Sequence, residues 1–359
     1  LTSKDLIFHR LDNQQIGVPR FTAPDDLVRW MGCIQAQDFA GAKWALGNRV
    51  KGITDAAIEK DFSDGKILRT HILRPTWHFV APEDIRWILQ FSAPRLKAFN
   101  KGSHRKLGID DAVLRQSKKI IARALAGGQQ LTRAELAIFL QKKKIDTDDI
   151  RLAYLMMDAE LDGIICSGPR KGKQFTYALL EHRVTSLRAT DRAMAIGELA
   201  KRYFASRGPA TLPDFAWWGG MNLSDAKKGI EICKNELVHE SINGQVHWFA
   251  ESVHVTRSPR SIPSIHLLPA FDEYAIAYTD RSAILPEQHR KVTGSGIFKP
   301  LILKEGRIAG TWRRTEHKDK VTLETAPLGS FSKADKRSLH LAAEDYARFL
   351  GKDLILAPQ

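Results

Sequence analysis

The chain has 359 residues, 43% of them hydrophobic and 27% charged, which is enough for a buried core and more than one domain and excludes a disordered polypeptide. Its 55 Lys and Arg outnumber its 41 Asp and Glu, and the net charge of +14 favours a polyanionic partner, since cations that neutralise phosphates release condensed counterions; charge alone is met equally well by a merely soluble basic surface. Cys33, Cys166 and Cys233 lie too far apart for a disulfide framework or a cysteine zinc site, no apolar run is long enough to cross a bilayer, and the start LTSKDLIFHRLDNQ lacks a secretory apolar core, so a cytoplasmic protein is expected.

Thr22, Pro24 and Asp25 open a helix toward Cys33, and Thr54 opens a second toward Phe62. The strings ILRTHIL and TWHFV supply strands around Arg74-Pro75, carrying Arg69, His71, Arg74, Thr76 and His78; Trp77 alternates with them and is expected to face the core. The next segment is clearer. An amphipathic stretch runs from Asp111 to Leu125, Gly127-Gly128 stops it, Thr132 and Glu135 spell a capping box, and Asp148 opens a helix that Gly163 closes. Strands at 164–167 and 175–179 then flank a flexible turn holding Arg170, Lys171 and Lys173. The pattern recurs with a helix from about Ala193 past Phe204 to Gly208-Pro209, another begun by Thr211, Pro213 and Asp214, and a third capped by Ser224; Asn243-Gly244 joins LVHESI to QVHWFA as a hairpin.

Helix, turn, helix and two short strands joined by a tight turn make a winged helix. The expected fold is α+β and predominantly helical, with three tandem winged-helix units over 1–110, 111–188 and 189–260. The texture changes at Ser261 to Pro263, and 261–359 reads as a β-rich C-terminal domain with a hairpin at Lys304-Glu305-Gly306, a turn at GSGIF and a terminal helix from Ser332 to Leu350 stopped by Gly351. Its basic cluster includes Arg313, Arg314, His317, Lys318 and Lys320, a group suited to a phosphate backbone although each residue alone fits a solvated face.

Between the first two helices of the first unit sits MGCIQAQDFAGAKWALGNRV. Gln35, Gln37 and Asp38 fall at a helix end, and an extended backbone would point the two glutamines the same way. Amides at that place also serve to satisfy the orphan backbone groups of a helix terminus, and spacing alone favours that use. Asp272 and Glu273 form an acidic pair that fits a hydrogen-bonded structural role better than a metal site, since no histidine spacing accompanies them. No nucleotide-cradling motif occurs, and no cofactor is expected.

The strings GCIQAQD and ALGNR, LRTHILRPTWHFVAPEDIRWIL, LLPAFDEYAIAYTDR and GIFKPLIL, in that order and over most of the chain, resemble the winged-helix DNA glycosylases of the AlkZ and YcaQ type. The resemblance implies three winged helices and a β-domain around a basic concave surface that fits double-stranded DNA. It implies removal of N7-alkylated guanines and, in some members, unhooking of interstrand crosslinks. The family's catalytic motif, glutamine, an apolar residue, then glutamine or aspartate, falls on Gln35, Ala36 and Gln37, the Gln-x-Gln branch. Asp38 is the rival for the base, and Arg74, Thr76 and His78 line up with an Arg-x-Thr-x-His element as auxiliary candidates. Candidate DNA contacts are Lys43 and Arg49 in the insertion, Arg170, Lys171 and Lys173 in the wing, and Arg313, Arg314 and Lys318 in the C-terminal domain.

The chemistry suits neutral amides. Breaking an N-glycosidic bond builds positive charge on the sugar, and an N7-alkylguanine leaves without the protonation that an ordinary base needs. A glutamine carbonyl can then orient water and offer its dipole to the developing cation. The other function class is a non-enzymatic winged-helix regulator, which would bind DNA without leaving abasic sites; regulators normally carry one such unit per chain and dimerise, whereas three unlike units give one long asymmetric surface and an expected monomer.

Overall fold

The computed structural model describes residues 2–185, 190–251, 265–285, 289 and 298–357. They form two compact units, one joining residues 1–59 to 196–359 and the other comprising 60–195. The texture change at Ser261 to Pro263 and most of the GSGIF turn lie outside the described residues. No described helix is long and apolar enough to cross a membrane.

The second unit is built from strong local signals. Its strands Leu68–His71 and Trp77–Val80 pair antiparallel, and the helix Pro82–Lys106 follows. The amphipathic helix Asp111–Ala124 is capped by Asp110, and Thr132 and Glu135 make the expected capping box at the start of Arg133–Gln141. After the helix Asp149–Leu161, strands Ile165–Ser167 and Thr176–Leu179 pair with each other, and the short strand Leu131–Thr132 adds to the latter. Leu125, Leu136, Leu140, Leu155 and Ile165 are fully buried in the core that these elements enclose.

In the first unit, capping boxes open Ser3–Asn13, Leu212–Gly219 and Lys333–Leu350. Two caps differ from expectation. The helix Leu223–Cys233 is capped by Asn222, whose side chain accepts from the Asp225 N–H at 2.7 Å, so Ser224 lies inside the first turn. The helix Pro24–Met31 has Ala23, not Thr22, at its entry, with no side-chain cap. Strands Leu237–Ile242 and Gln245–Ala250 form the Asn243-Gly244 hairpin. The C-terminal region is rich in sheet: Ile265–Leu268, Leu301–Lys304, Arg307–Glu316 and Lys320–Pro327 run antiparallel in sequence order. A strand not anticipated, Asp353–Leu356, joins the edge parallel to Lys320–Pro327 after Gly351 ends the terminal helix in a left-handed conformation.

All three cysteines are buried and unbridged, and burial pushes the thiols of Cys166 and Cys233 up to about 12.

The turn at Glu305-Gly306 has both residues at positive φ, and a side chain on Gly306 would come within 2.3 Å of Ile7 Cγ2, while its carbonyl accepts from Tyr274 Oη at 2.9 Å. Gly244 also has positive φ, but nothing lies within 4 Å of its would-be Cβ. Gly306→Ala should therefore introduce left-handed strain plus overpacking and lose about 2 kcal/mol or more of stability, and Gly244→Ala the strain alone, about 1 kcal/mol. Equal losses on urea unfolding would refute the close packing at position 306.

Candidate functional site

The segment from Met31 to Asp38 is pinned at alternate points. Gly32, at φ +73°, turns the chain out of the preceding helix, and Cys33, Ile34 and Ala36 are buried. The small side chain of Ala36 fits its fully enclosed position. Gln35 lies at the edge of the interior, 8% exposed, whereas Gln37 is exposed.

Two residues far away in sequence hold this segment. The Gln35 backbone N–H donates to Glu273 Oε1 at 2.9 Å. The other oxygen of Glu273 accepts from Arg207 Nε at 3.0 Å, Arg207 Nη2 at 2.8 Å and Trp218 Nε1 at 3.0 Å. Arg207 in turn donates to the carbonyls of Met31 at 2.7 Å and Cys33 at 2.8 Å. Both charges are at most 1% exposed, so the pair is saturated with hydrogen bonds at the place where an unpaired charge would be most costly. Its neighbour Asp272 takes a two-pronged contact from Arg49 at 2.7 and 2.9 Å and caps the short helix Glu273–Ile276. The acidic pair thus grips two arginines, and among the described residues no group of three or more His, Cys, Asp or Glu could hold a metal ion.

Asp38 is the N-cap of Phe39–Gly47: its carboxylate accepts from the Gly41 N–H at 3.1 Å and lies 3.7 Å from Arg314 Nη2. A side chain at Gly41 would reach within 2.7 Å of that carboxylate, so glycine there keeps the cap accessible to its donor. The helix is held from behind by Trp44, whose indole N–H donates to the Leu267 carbonyl at 2.7 Å and whose ring meets the edge of Tyr346 at 4.8 Å.

The candidate cations divide. Arg49, 1% exposed, is committed to Asp272, and Lys43 is buried with its ammonium between Asp55 at 2.8 Å and Glu59 at 2.7 Å. Neither can reach a phosphate, which corrects their assignment as DNA contacts: buried cations persist where carboxylates pair them. Arg313 and Lys318 are exposed, the former 2.6 Å from Glu324, and Arg314 is half-buried beside Asp38. In the second unit Lys171 and Lys173 are exposed, Arg170 is half-buried, and Lys171 meets Glu135 at 2.9 Å.

The auxiliary candidates also divide. Arg74 and Thr76 are half-buried, but His78 is completely enclosed, its Nδ1 2.9 Å from the Thr76 carbonyl, which rules it out as a surface group meeting a lesion. Trp77, expected in the core, is half-buried and stacks on Arg69 at 4.2 Å. Period-two alternation fails here because Phe79 and Val80 are buried alongside His78. Arg207 and Glu273 were not singled out as a pair; 66 residues separate them, and no local motif links them.

The family model for DNA glycosylase AlkZ-like proteins matches residues 28–349. An interstrand DNA cross-link repair glycosylase of Streptomyces sahachiroi is 23% identical over 312 residues, covering 83% of this chain and 84% of that protein. The solved structure of the Streptomyces sahachiroi DNA glycosylase AlkZ superposes with a TM-score of 0.81 at 20% identity, covering 99% of this chain and 100% of the other, so the two share a fold.

Truncating either member of the Arg207–Glu273 pair leaves its partner charged in the interior. Glu273→Ala and Arg207→Ala should each lower stability by about 3–5 kcal/mol, and the double variant should lose less than the sum. Denaturant unfolding of the three variants checks this, and additive losses would mean that the two charges act independently.

Proposed function

The chain belongs to the AlkZ-like DNA glycosylase family, enzymes that hydrolyse N-glycosyl bonds in DNA, and on that premise we propose that it releases cationic N7-alkylguanines, including those tied into interstrand crosslinks, with Gln35 and Gln37 as the catalytic residues. The observation that carries the assignment is the contrast along one short segment: Gln37 is exposed, Gln35 is 8% exposed on a backbone fixed by Glu273, and the adjacent carboxylate of Asp38 is engaged as a helix cap.

A lesion that is already charged needs no general acid. The protein has to orient one water and favour an oxocarbenium-like sugar, and two amide carbonyls aimed at that region supply a dipole without the proton affinity of a carboxylate. Undamaged guanine, lacking the alkyl charge, stays bound to its sugar. A crosslinked guanine is tied to the opposite strand and cannot swing into a tight pocket, so unhooking requires an open site reached along the groove. The named activity of the Streptomyces relative supports this extension.

Double-stranded DNA bearing an alkylated guanine is the proposed substrate, and a monomer the proposed state. In the second unit, the order of helix, strand, two helices and a strand pair, with all three strands hydrogen-bonded, supports a winged helix whose turn presents Arg170, Lys171 and Lys173. Arg313, Arg314 and Lys318 are proposed to meet the backbone from the sheet-rich region, as exposed or half-exposed cations suited to phosphate. Family membership favours this over a non-enzymatic regulator.

The test is base release from duplexes carrying N7-methylguanine or a true N7 crosslink. Gln35→Ala and Gln37→Ala should each slow release by about 10²–10³-fold while leaving duplex affinity intact. Asp38→Asn keeps a competent cap but removes the carboxylate, and it should retain most turnover. If Asp38→Asn is inert and Gln37→Ala is not, the carboxylate is the base and the two-amide reading is wrong; wild-type protein inert on both substrates would overturn the assignment altogether.

A further inference from the structure

The second half of the helix Pro82–Lys106 is tied down along one side and bare along the other. Leu96, Asn100 and His104, spaced four apart, are buried, and the last two meet the helix Asp149–Leu161: Asn100 Nδ2 donates to Met157 Sδ at 3.1 Å, and the His104 ring meets Tyr154 edge-on at 5.5 Å. The helix end is held as well, Arg151 donating to the carbonyls of Leu107 and, at 3.2 Å, Gly108. The opposite side carries Ala98, Phe99, Lys101, Gly102, Arg105 and Lys106, all exposed. After Asp84 the helix contains no Asp or Glu. Lys97 on the flank is committed to Asp162 and Arg95 is turned to the Leu73 carbonyl at 2.7 Å, but among the described residues no carboxylate pairs with Lys101, Arg105 or Lys106.

Cations in a last helical turn suit the helix dipole, which accounts for Arg105 and Lys106. Lys101 precedes that turn, and the dipole gives no reason for a bare aromatic ring. Phe99 is 70% exposed, the most of any large apolar side chain among the described residues, and no ring or cation stacks on it there. A duplex offers such a surface only phosphates, because its bases are stacked inside; an unpaired strand offers phosphates and base faces together. From Phe99 to Lys106 the helix rises about 10 Å, which matches about three stacked nucleotides at about 3.4 Å each. Between ring and cations the surface stays low, with Ala98 and Gly102 there and nothing within 4 Å of a Cβ built on Gly102. We propose that this face binds single-stranded DNA, a base stacking on Phe99 while phosphates meet Lys101, Arg105 and Lys106. DNA is the polymer because the chain belongs to a DNA glycosylase family; neither the two glutamines nor any lesion enters the inference.

The test uses the full chain and fluorescence anisotropy. The probes are a labelled thymidine strand of about a dozen nucleotides, an undamaged duplex of the same length and the matching uridine RNA strand, with sedimentation of phosphatidylserine vesicles alongside. Phe99→Ala should weaken single-strand binding about tenfold without altering its salt dependence, and Phe99→Trp should restore it. Replacing Lys101, Arg105 and Lys106 together by alanine should lower the slope of log affinity against log salt by about 2, the share of three phosphates at about 0.7 each. All four positions are exposed, so the melting temperature should stay unchanged. Duplex binding should be indifferent to Phe99→Ala. Intact single-strand affinity in Phe99→Ala, an equal loss on the duplex, tighter binding of the RNA strand, a loss confined to the vesicles, or no single-strand binding at about 100 μM overturns the proposal. Since the strand is undamaged, wild-type protein that releases no base would overturn the catalytic reading and leave this one standing.

Discussion

The architecture around the two glutamines depends on one buried ion pair. Arg207 and Glu273 together take up two carbonyls and one N–H of the segment from Met31 to Gln35, and Trp218 closes the remaining side of the carboxylate. A short segment between two helices would ordinarily be among the more mobile parts of a protein. Here its backbone groups are satisfied by charged partners, and charge-assisted hydrogen bonds are stronger and more directional than neutral ones. The arrangement removes freedom from the chain just ahead of Gln37, leaving that side chain outside a fixed frame.

The same logic governs how the excess positive charge is distributed. A net charge of +14 describes the whole chain, but Arg10, Lys43, Arg49 and Arg207 are interior residues, each with carboxylate neighbours. Their work is to join sequence-distant segments of the first unit. Other cations remain at the surface, among them Lys171, Lys173, Arg313 and Lys318. Some of these face carboxylates too, so their pull on any anion meets local competition that screening by salt weakens.

Much of the fold was legible because its signals are local. The Thr132 and Glu135 capping box, the Thr211 and Asp214 start, the Asn243-Gly244 turn and the Gly351 stop all act within four or five residues, and each stands where the sequence placed it. What escaped was non-local. Nothing near Arg49 announces Asp272, which is 223 residues away, so a buried clasp read as a surface cation. His78 and Trp77 exchanged their expected surroundings because alternation assumes one wet face, and this strand has neighbours on both. The edge strand Asp353–Leu356 takes its partner from a preceding sheet strand across the terminal helix, a pairing that four residues cannot declare.

The enclosure of the three thiols bears on how a repair enzyme survives its surroundings. Cysteine sulfur is the softest nucleophile a protein owns, and electrophiles that methylate or bridge guanine attack thiolates readily. Burial pushes the Cys166 and Cys233 thiols up to about 12, so they stay protonated at neutral pH, and solvent scarcely touches them. A protein built this way keeps its own sulfur out of the reach of soft electrophiles in solvent.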